Sequence, residues 1–449
     1  MKFSTATLFA VLSSIISVEA SCSYEGGNYY CAQTNKVVYK GIGFSGSYQD
    51  VTNMDDDSGT CTQESHSFSG NLSPLDEELS VHFRGPLKLL QFGVYYPGDN
   101  STNSKRDAIE EEEDCNTRHV HHKHKRATEF VKVTQTVFID GNGNTVTSQA
   151  TETGTADDSS SNNAATAGTT SVTNLAGEGK AYRSISTQSA PTTTSSDASS
   201  STETAAADGA WQRDSYYTPG NADNCVFLNY YGGSGSGVWS SNFGNSLSYA
   251  NSDNSGGSSS PVALEEVTIG SNTEFVVMSG QKCSGDSCGY YRSGTVAHHG
   301  FGGNEKIFVF EFEMPSDGSS GFNADMPAVW LLNAKIPRTL QYGDSSCSCW
   351  KSGCGEMDLF ECLSSGSSKL ISHLHDGQGA SSNSNNGGGG SQDYFQRPTS
   401  GSFKAAVIFT GNEIHIVQVD DSTDFGSSLD EDTVNSWLQQ SGSVATIGY

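Results

Sequence analysis

The chain reads as an all-β protein: two packed antiparallel sheets, a β-sandwich or jelly roll, preceded by a small Gly/Cys-rich β module and a disordered Ser/Thr-rich linker. Three observations lead there. From Trp211 onward, short runs of β-branched and aromatic residues recur, several alternating apolar with polar side chains as a half-buried strand requires. Gly- and Ser-rich turns separate them. Long helical periodicity is missing, and Thr433 to Gln439 is the best short helix. Residues 208–449 suffice for one sizeable core.

In chain order, Met1 to Ala20 has the layout of a secretory signal peptide. Lys2 precedes an apolar stretch, Ala6 to Leu12 with Ile15 and Ile16, and Val18-Glu19-Ala20 offers a small-residue cleavage site. That run is too short to cross a bilayer. No later run is apolar enough, and Val444 to Tyr449 lacks the tail of a glycolipid-anchor signal. A secreted protein without a membrane anchor is expected. Residues 21–98 form a Gly-, Tyr- and Cys-bearing module with β-prone pieces at Lys36–Tyr39 and Leu89–Tyr96. Its aromatics serve either sugar stacking or ordinary packing.

Residues 99–207 are a linker. An acidic run, Glu110 to Asp114, meets a His-rich basic run, His119 to Arg126, and Lys105-Arg106 and Lys125-Arg126 are dibasic pairs open to a processing protease. The histidines invite metal, but nothing nearby fixes a coordination geometry, and no metal site is expected. Beyond Thr128, Ser, Thr, Ala and Gly dominate, a composition that cannot bury a core. It reads as an O-glycosylated stalk. Asn71-Leu72-Ser73 and Asn100-Ser101-Thr102 are N-glycosylation acceptors. Strands are then expected at Glu274–Met278, Lys306–Glu313, Ala328–Leu332, Ala405–Phe409 and Glu413–Val419.

Eleven cysteines suit an oxidising compartment, and their odd number leaves at least one outside internal pairing. The cluster Cys347, Cys349, Cys354 and Cys362 suits either zinc or disulfides; secretion favours disulfides that fix the loop beside the acidic motif. Lys and Arg number 24 against 51 Asp and Glu, a formal net charge of −27. Phosphate backbones need a basic surface, so nucleic acid is excluded as a partner.

The chemistry gathers at Glu356-Met357-Asp358-Leu359-Phe360-Glu361. On a strand, positions i and i+2 share a face but i+5 does not. One β-bulge restores the register, placing Glu356, Asp358 and Glu361 together and turning Met357, Leu359 or Phe360 into a core. Crowded, desolvated carboxylates repel, and a pKa rises. Two carboxyls about 5–5.5 Å apart are what a retaining glycosidase uses, and strand curvature has to tilt the side chains together to reach that spacing. An acidic stripe facing solvent on an edge strand is the competing reading.

The surrounding motifs resemble family 16 glycoside hydrolases. Tyr291 to Val296 resembles the strand opening their catalytic core, and Lys306 to Pro315 the next one. Met326-Pro327-Ala328-Val329-Trp330-Leu331-Leu332 is similar to their proline–apolar–tryptophan strand. The acidic motif, His373 to Gly377, and Phe403–Val407 with Gly411–Ile414 follow in the same order. The layout as a whole resembles the target-of-SBF-type fungal cell-wall proteins, which join a cysteine module, a Ser/Thr-rich middle and a glucanase-like domain. The resemblance implies a concanavalin-like jelly roll and endo-β-1,3-glucan hydrolysis or glucan transfer in the wall. It implies β-glucan and other wall polymers as partners, no cofactor and a monomer. It implies Glu356 as nucleophile, Glu361 as acid/base, Asp358 between them, and His375 bonded to the carboxylates. Trp330 either floors a sugar subsite or packs in the core. A non-catalytic glucan-binding wall protein is the alternative.

Overall fold

The computed structural model describes residues 22–98, 138–139, 145–146, 211–380 and 387–447. The signal-peptide segment, Asn100, the dibasic pairs and most of the linker lie outside the described residues. One compact unit comprises 1–107 and 203–449, and a second comprises 108–202. In the second, Phe138–Ile139 pairs antiparallel with Thr145–Val146.

The first unit is built of strands. Its N-terminal part supplies β1 (Ser23–Glu25), β2 (Asn28–Tyr30), β3 (Lys36–Lys40), β4 (Gly46–Asp55), β5 (Thr60–Phe68), β6 (Leu79–Arg84) and β7 (Leu87–Pro97). Its C-terminal part supplies β8 (Trp211–Thr218), β9 (Cys225–Asn229), β10 (Ser248–Ala250), β11 (Glu274–Ser279), β12 (Lys306–Glu313), β13 (Ala328–Asn333), β14 (Glu356–Glu361), β15 (Lys369–His375), β16 (Phe403–Thr410), β17 (Glu413–Gln418), helix α1 (Glu431–Gln439) and β18 (Ser443–Ile447). The five strands expected from alternation are present, and so is the short helix. Asp430 caps it by accepting from Thr433 N at 2.7 Å.

Two sheets pack face to face. One runs β10-β9-β11-β6-β13-β14-β15; the other runs β8-β7-β12-β16-β17-β3. β18 joins them at an edge, pairing parallel with β3 and antiparallel with Gly389–Gly390 beside β15. Between the sheets lies the main core, including Val81, Phe83, Phe92, Phe275, Phe310, Leu331, Leu359 and Phe360.

Two expectations need correction. The stretch 21–98 is strand-rich and Cys-bearing, but it is not a free-standing module. β6 lies between β11 and β13, and β7 between β8 and β12, inside both sheets. The jelly roll is therefore not confined to 208–449: without β6 and β7 the inner edges of four strands would lose their hydrogen bonds. Tyr291 to Val296 is a turn, not an opening strand. Gly294 there takes φ +77°, and buried Arg292 donates to Gly244 O at 2.9 Å and Ser240 Oγ at 3.1 Å.

Among the described residues the cysteines form four disulfides: Cys22–Cys31, Cys61–Cys347, Cys283–Cys288 and Cys349–Cys354. Cys61–Cys347 ties the β4–β5 ribbon to the loop before β14. Cys362 is a buried thiol instead of a disulfide partner, and Cys225 is another. No helix among the described residues is long and apolar enough to cross a membrane.

Candidate active site

Strand β14 carries the acidic motif, and its bulge is present. Leu332 pairs with Glu356, Trp330 with Asp358, then Val329 with Phe360 and Ala328 with Glu361, so Leu359 is the extra residue. β15 sees the same shift: Glu356 faces His375, Asp358 faces His373 and Glu361 faces Ile371. The physical consequence is the one the spacing requires. Met357, Leu359 and Phe360 all enter the inter-sheet core, and the three carboxyls share the outer face. Gly355, just before the strand, has φ +109°, and a Cβ there would sit 2.9 Å from Leu75 Cδ2.

The outer face reads as cross-strand rows. Glu274, Arg84, Ala328, Glu361 and Ile371 stand in one; Val276, His82, Trp330, Asp358 and His373 in the next; Leu332, Glu356 and His375 in a third. Arg84 Nη2 reaches Glu361 Oε1 at 3.3 Å while its Nε donates to Met326 O at 2.8 Å. His375 Nε2 lies 3.5 Å from Asp358 Oδ2. Trp350 Nε1 donates to Glu356 Oε2. Trp350 opens a 3₁₀ turn within the Cys349–Cys354 disulfide loop, and its ring is 39% exposed beside the carboxyl.

Burial dominates the electrostatics. It pushes Glu356 up to about 8, helped by the Asp358 charge and opposed by the Trp350 N–H. Burial and the Glu361 charge hold Asp358 well above the ordinary carboxylate range. Glu361 is also raised by burial, but the Arg84 guanidinium opposes the shift. Carboxyls raised together are biased toward the protonated form, which is the state an acid catalyst needs.

Trp330 stands on this outer face, yet it is only 5% exposed. Its ring stacks on His82 at 5.0 Å and packs in a cluster with Tyr48, Ile336, Cys349 and Cys354. His82 is buried, which pushes it down to about 3, so it is neutral. Ser80 Oγ donates to Leu332 O (3.0 Å) and accepts from His82 Nε2 (2.8 Å). Asn71 is exposed.

Sequence reasoning missed Arg84, His82, Trp350 and the pair Glu274–Tyr342. The signal was present in Leu79-Ser80-Val81-His82-Phe83-Arg84, whose alternation puts three polar residues on one face. Nothing local announces that this face adjoins the acidic one. Tyr342 OH donates to Glu274 at 2.8 and 3.0 Å, leaving a 60% exposed ring at the edge of the same face. Among the described residues, the grouping of metal-type donors Cys283, Cys288 and His299 has both sulfurs in a disulfide.

The family description "Cell wall protein YJL171C/Tos1, C-terminal" matches residues 209–437, and its N-terminal counterpart matches 35–97. The chain belongs to the Tos1 family of cell wall proteins. Its relatives include the "Probable circularly permuted 1,3-beta-glucanase TOS1" of Candida albicans, 70% identical over the full length of both chains. The Saccharomyces cerevisiae protein of the same description is 52% identical over 99% of both. A Candida albicans relative, "Probable circularly permuted 1,3-beta-glucanase PGA52", is 31% identical over 97% of this chain and 88% of its own. No solved structure matches. Both matched Tos1 segments contribute strands to both sheets, and the acidic strand lies in the C-terminal segment.

Proposed function

We propose that this chain is a secreted cell-wall endo-β-1,3-glucan hydrolase that works by retaining double displacement. The observation that carries the reading is the bulged strand β14, which sets Glu356, Asp358 and Glu361 on one outer face while the intervening residues enter the core. The names of the relatives supply the substrate class. Their description as circularly permuted agrees with a chain whose N-terminal strands fill the middle of both sheets.

In this reading Asp358, buried between the two glutamates and raised by burial and the Glu361 charge, keeps its proton and removes one charge from the row. Glu356 then ionises under the Trp350 N–H and attacks the anomeric carbon. Glu361 gives its proton to the departing glycosidic oxygen, and Arg84 stabilises the carboxylate left behind. Glu361 next takes a proton from the water that releases the glycosyl-enzyme. If a second glucan replaces that water, the same groups perform transfer. The Arg84–Glu361 contact also favours the exchanged assignment, with Glu361 as the ionised nucleophile. Leaving-group dependence separates the two. Four disulfides support a secretory route, and exposed Asn71 is proposed as a glycan site.

The deciding experiment incubates the full chain, not a fragment starting at Trp211, with defined β-1,3-, β-1,4- and β-1,6-glucans. Cleavage of the β-1,3 substrate with anomeric retention is expected; products longer than the substrate mean transfer. No product from any of the three overturns the reading.

A further inference from the structure

The hairpin β1–β2 is short, yet it is anchored at both its ends and along its inner face. Cys22–Cys31 closes it, and Cys31 N donates to Gln392 O at 2.9 Å. Glu25 pairs with Lys369, whose Nζ lies 4.8 Å from the Tyr30 ring centroid. Tyr30 is fully buried. Strand alternation sends Glu25 and Tyr30 toward the body and leaves Tyr24 and Tyr29, a directly paired couple, on the outward side. Their ring centroids are 4.9 Å apart, and they are 66% and 56% exposed. A single exposed tyrosine is ordinary, but two adjacent ones on a covalently closed, ion-paired hairpin form a rigid apolar platform.

The position of this platform is the informative part. Lys369 begins β15 and, two residues before Ile371, shares its face; Ile371 is the cross-strand partner of Glu361. The hairpin therefore sits at the Glu361 end of the acidic face. We propose that Tyr24 and Tyr29 are an accessory binding platform for the β-glucan polymer, holding sugar rings outside the reacting subsites. The occupant follows from continuity with the proposed site, and the inference rests on the glucan reading above. Pyranose rings present apolar C–H faces that lie flat on tyrosine, so neither hydroxyl is needed.

The test uses full-length Tyr24→Ala/Tyr29→Ala protein carrying Glu356→Gln, so that binding is read without turnover. Retention on insoluble β-1,3-glucan should weaken about tenfold, while the double Tyr→Phe variant in the same background should bind as well as its parent. Unchanged retention in the alanine variant overturns the platform, and equal loss in the phenylalanine variant overturns stacking as its basis. In the otherwise native chain, the alanine pair should leave cleavage of a short laminari-oligosaccharide unchanged; an equal loss there places the tyrosines in the reacting subsites and overturns an accessory role. A chain that binds through Tyr24 and Tyr29 but cleaves nothing refutes the hydrolase and leaves the platform standing.

Discussion

The two sheets of this fold turn very different faces outward. The outer face of the β7–β12–β16–β17 sheet is apolar and sealed. Tyr95, Ile307, Val309, Ile408 and Val417 pack beneath Val434 and Trp437 of helix α1. Two acids near that helix are stabilised as anions: Asp430 is held below its usual range by the backbone N–H and hydroxyl of Thr433, and Asp420 by the Ser422 side chain and backbone. The outer face of the β6–β13–β14–β15 sheet carries Arg84, His82, Glu361, Asp358, Glu356 and His375, and its acids are pushed the other way by burial, with repulsion from a neighbouring carboxylate adding to it at Glu356 and Asp358. Acids serving structure are placed where N–H groups welcome their charge. Acids gathered where charge is unwelcome are kept against a stability cost, which points to chemistry.

Substitutions on each face can break or sharpen that contrast. The largest effect is expected from Glu356→Gln, which should lower glucan cleavage on the order of 10³-fold or more with the circular-dichroism spectrum unchanged; near-normal turnover would remove the nucleophile assignment. Glu361→Gln should slow substrates with poor leaving groups by about 10²–10⁴-fold and activated aryl glycosides far less. Equal losses would contradict an acid role. On the sealed face, Trp437→Ala should cost about 3–5 kcal/mol in denaturant unfolding while the folded fraction keeps its specific activity. A selective activity loss would mean that this face also serves the site.

Smaller effects probe the coupling. Trp350→Phe keeps the ring but removes the donor to Glu356, and kcat should fall about tenfold with KM nearly constant. A rise in KM alone would assign Trp350 to sugar binding. The smallest effect concerns stability. Folding raises Glu356 from 4.5 to about 8, so between those values the native state holds a proton that the unfolded chain has released. Stability therefore falls as pH rises through that window. Glu356→Gln should be more stable than its parent at pH 8 by on the order of 1–2 kcal/mol, with the gap closing near pH 4. A gap that widens toward acid would reverse the stated cause.

Much of this was legible along the chain. Alternation in Lys306–Glu313 and Glu413–Gln418 specified strands because a half-buried strand has a period of two. The i, i+2, i+5 spacing of Glu356, Asp358 and Glu361 specified a bulge because no regular strand puts all three on one face while Met357, Leu359 and Phe360 are apolar. Thr433 to Gln439 read as a short helix, and the structure begins α1 two residues earlier, at Glu431, behind the Asp430 cap. These features depend on neighbours within a few residues.

What the tertiary structure decided lies across long separations. That β6 and β7 complete both sheets, that Arg84 meets Glu361, that Cys61 bonds Cys347 and that Trp350 supplies the donor to Glu356 are pairings between distant segments. Local patterning gives each strand a buried face and an open one, but not the identity of its neighbour. That choice is made by the packing of the whole core, where hydrogen bonds between strands and the burial of both sheets have to be satisfied at once.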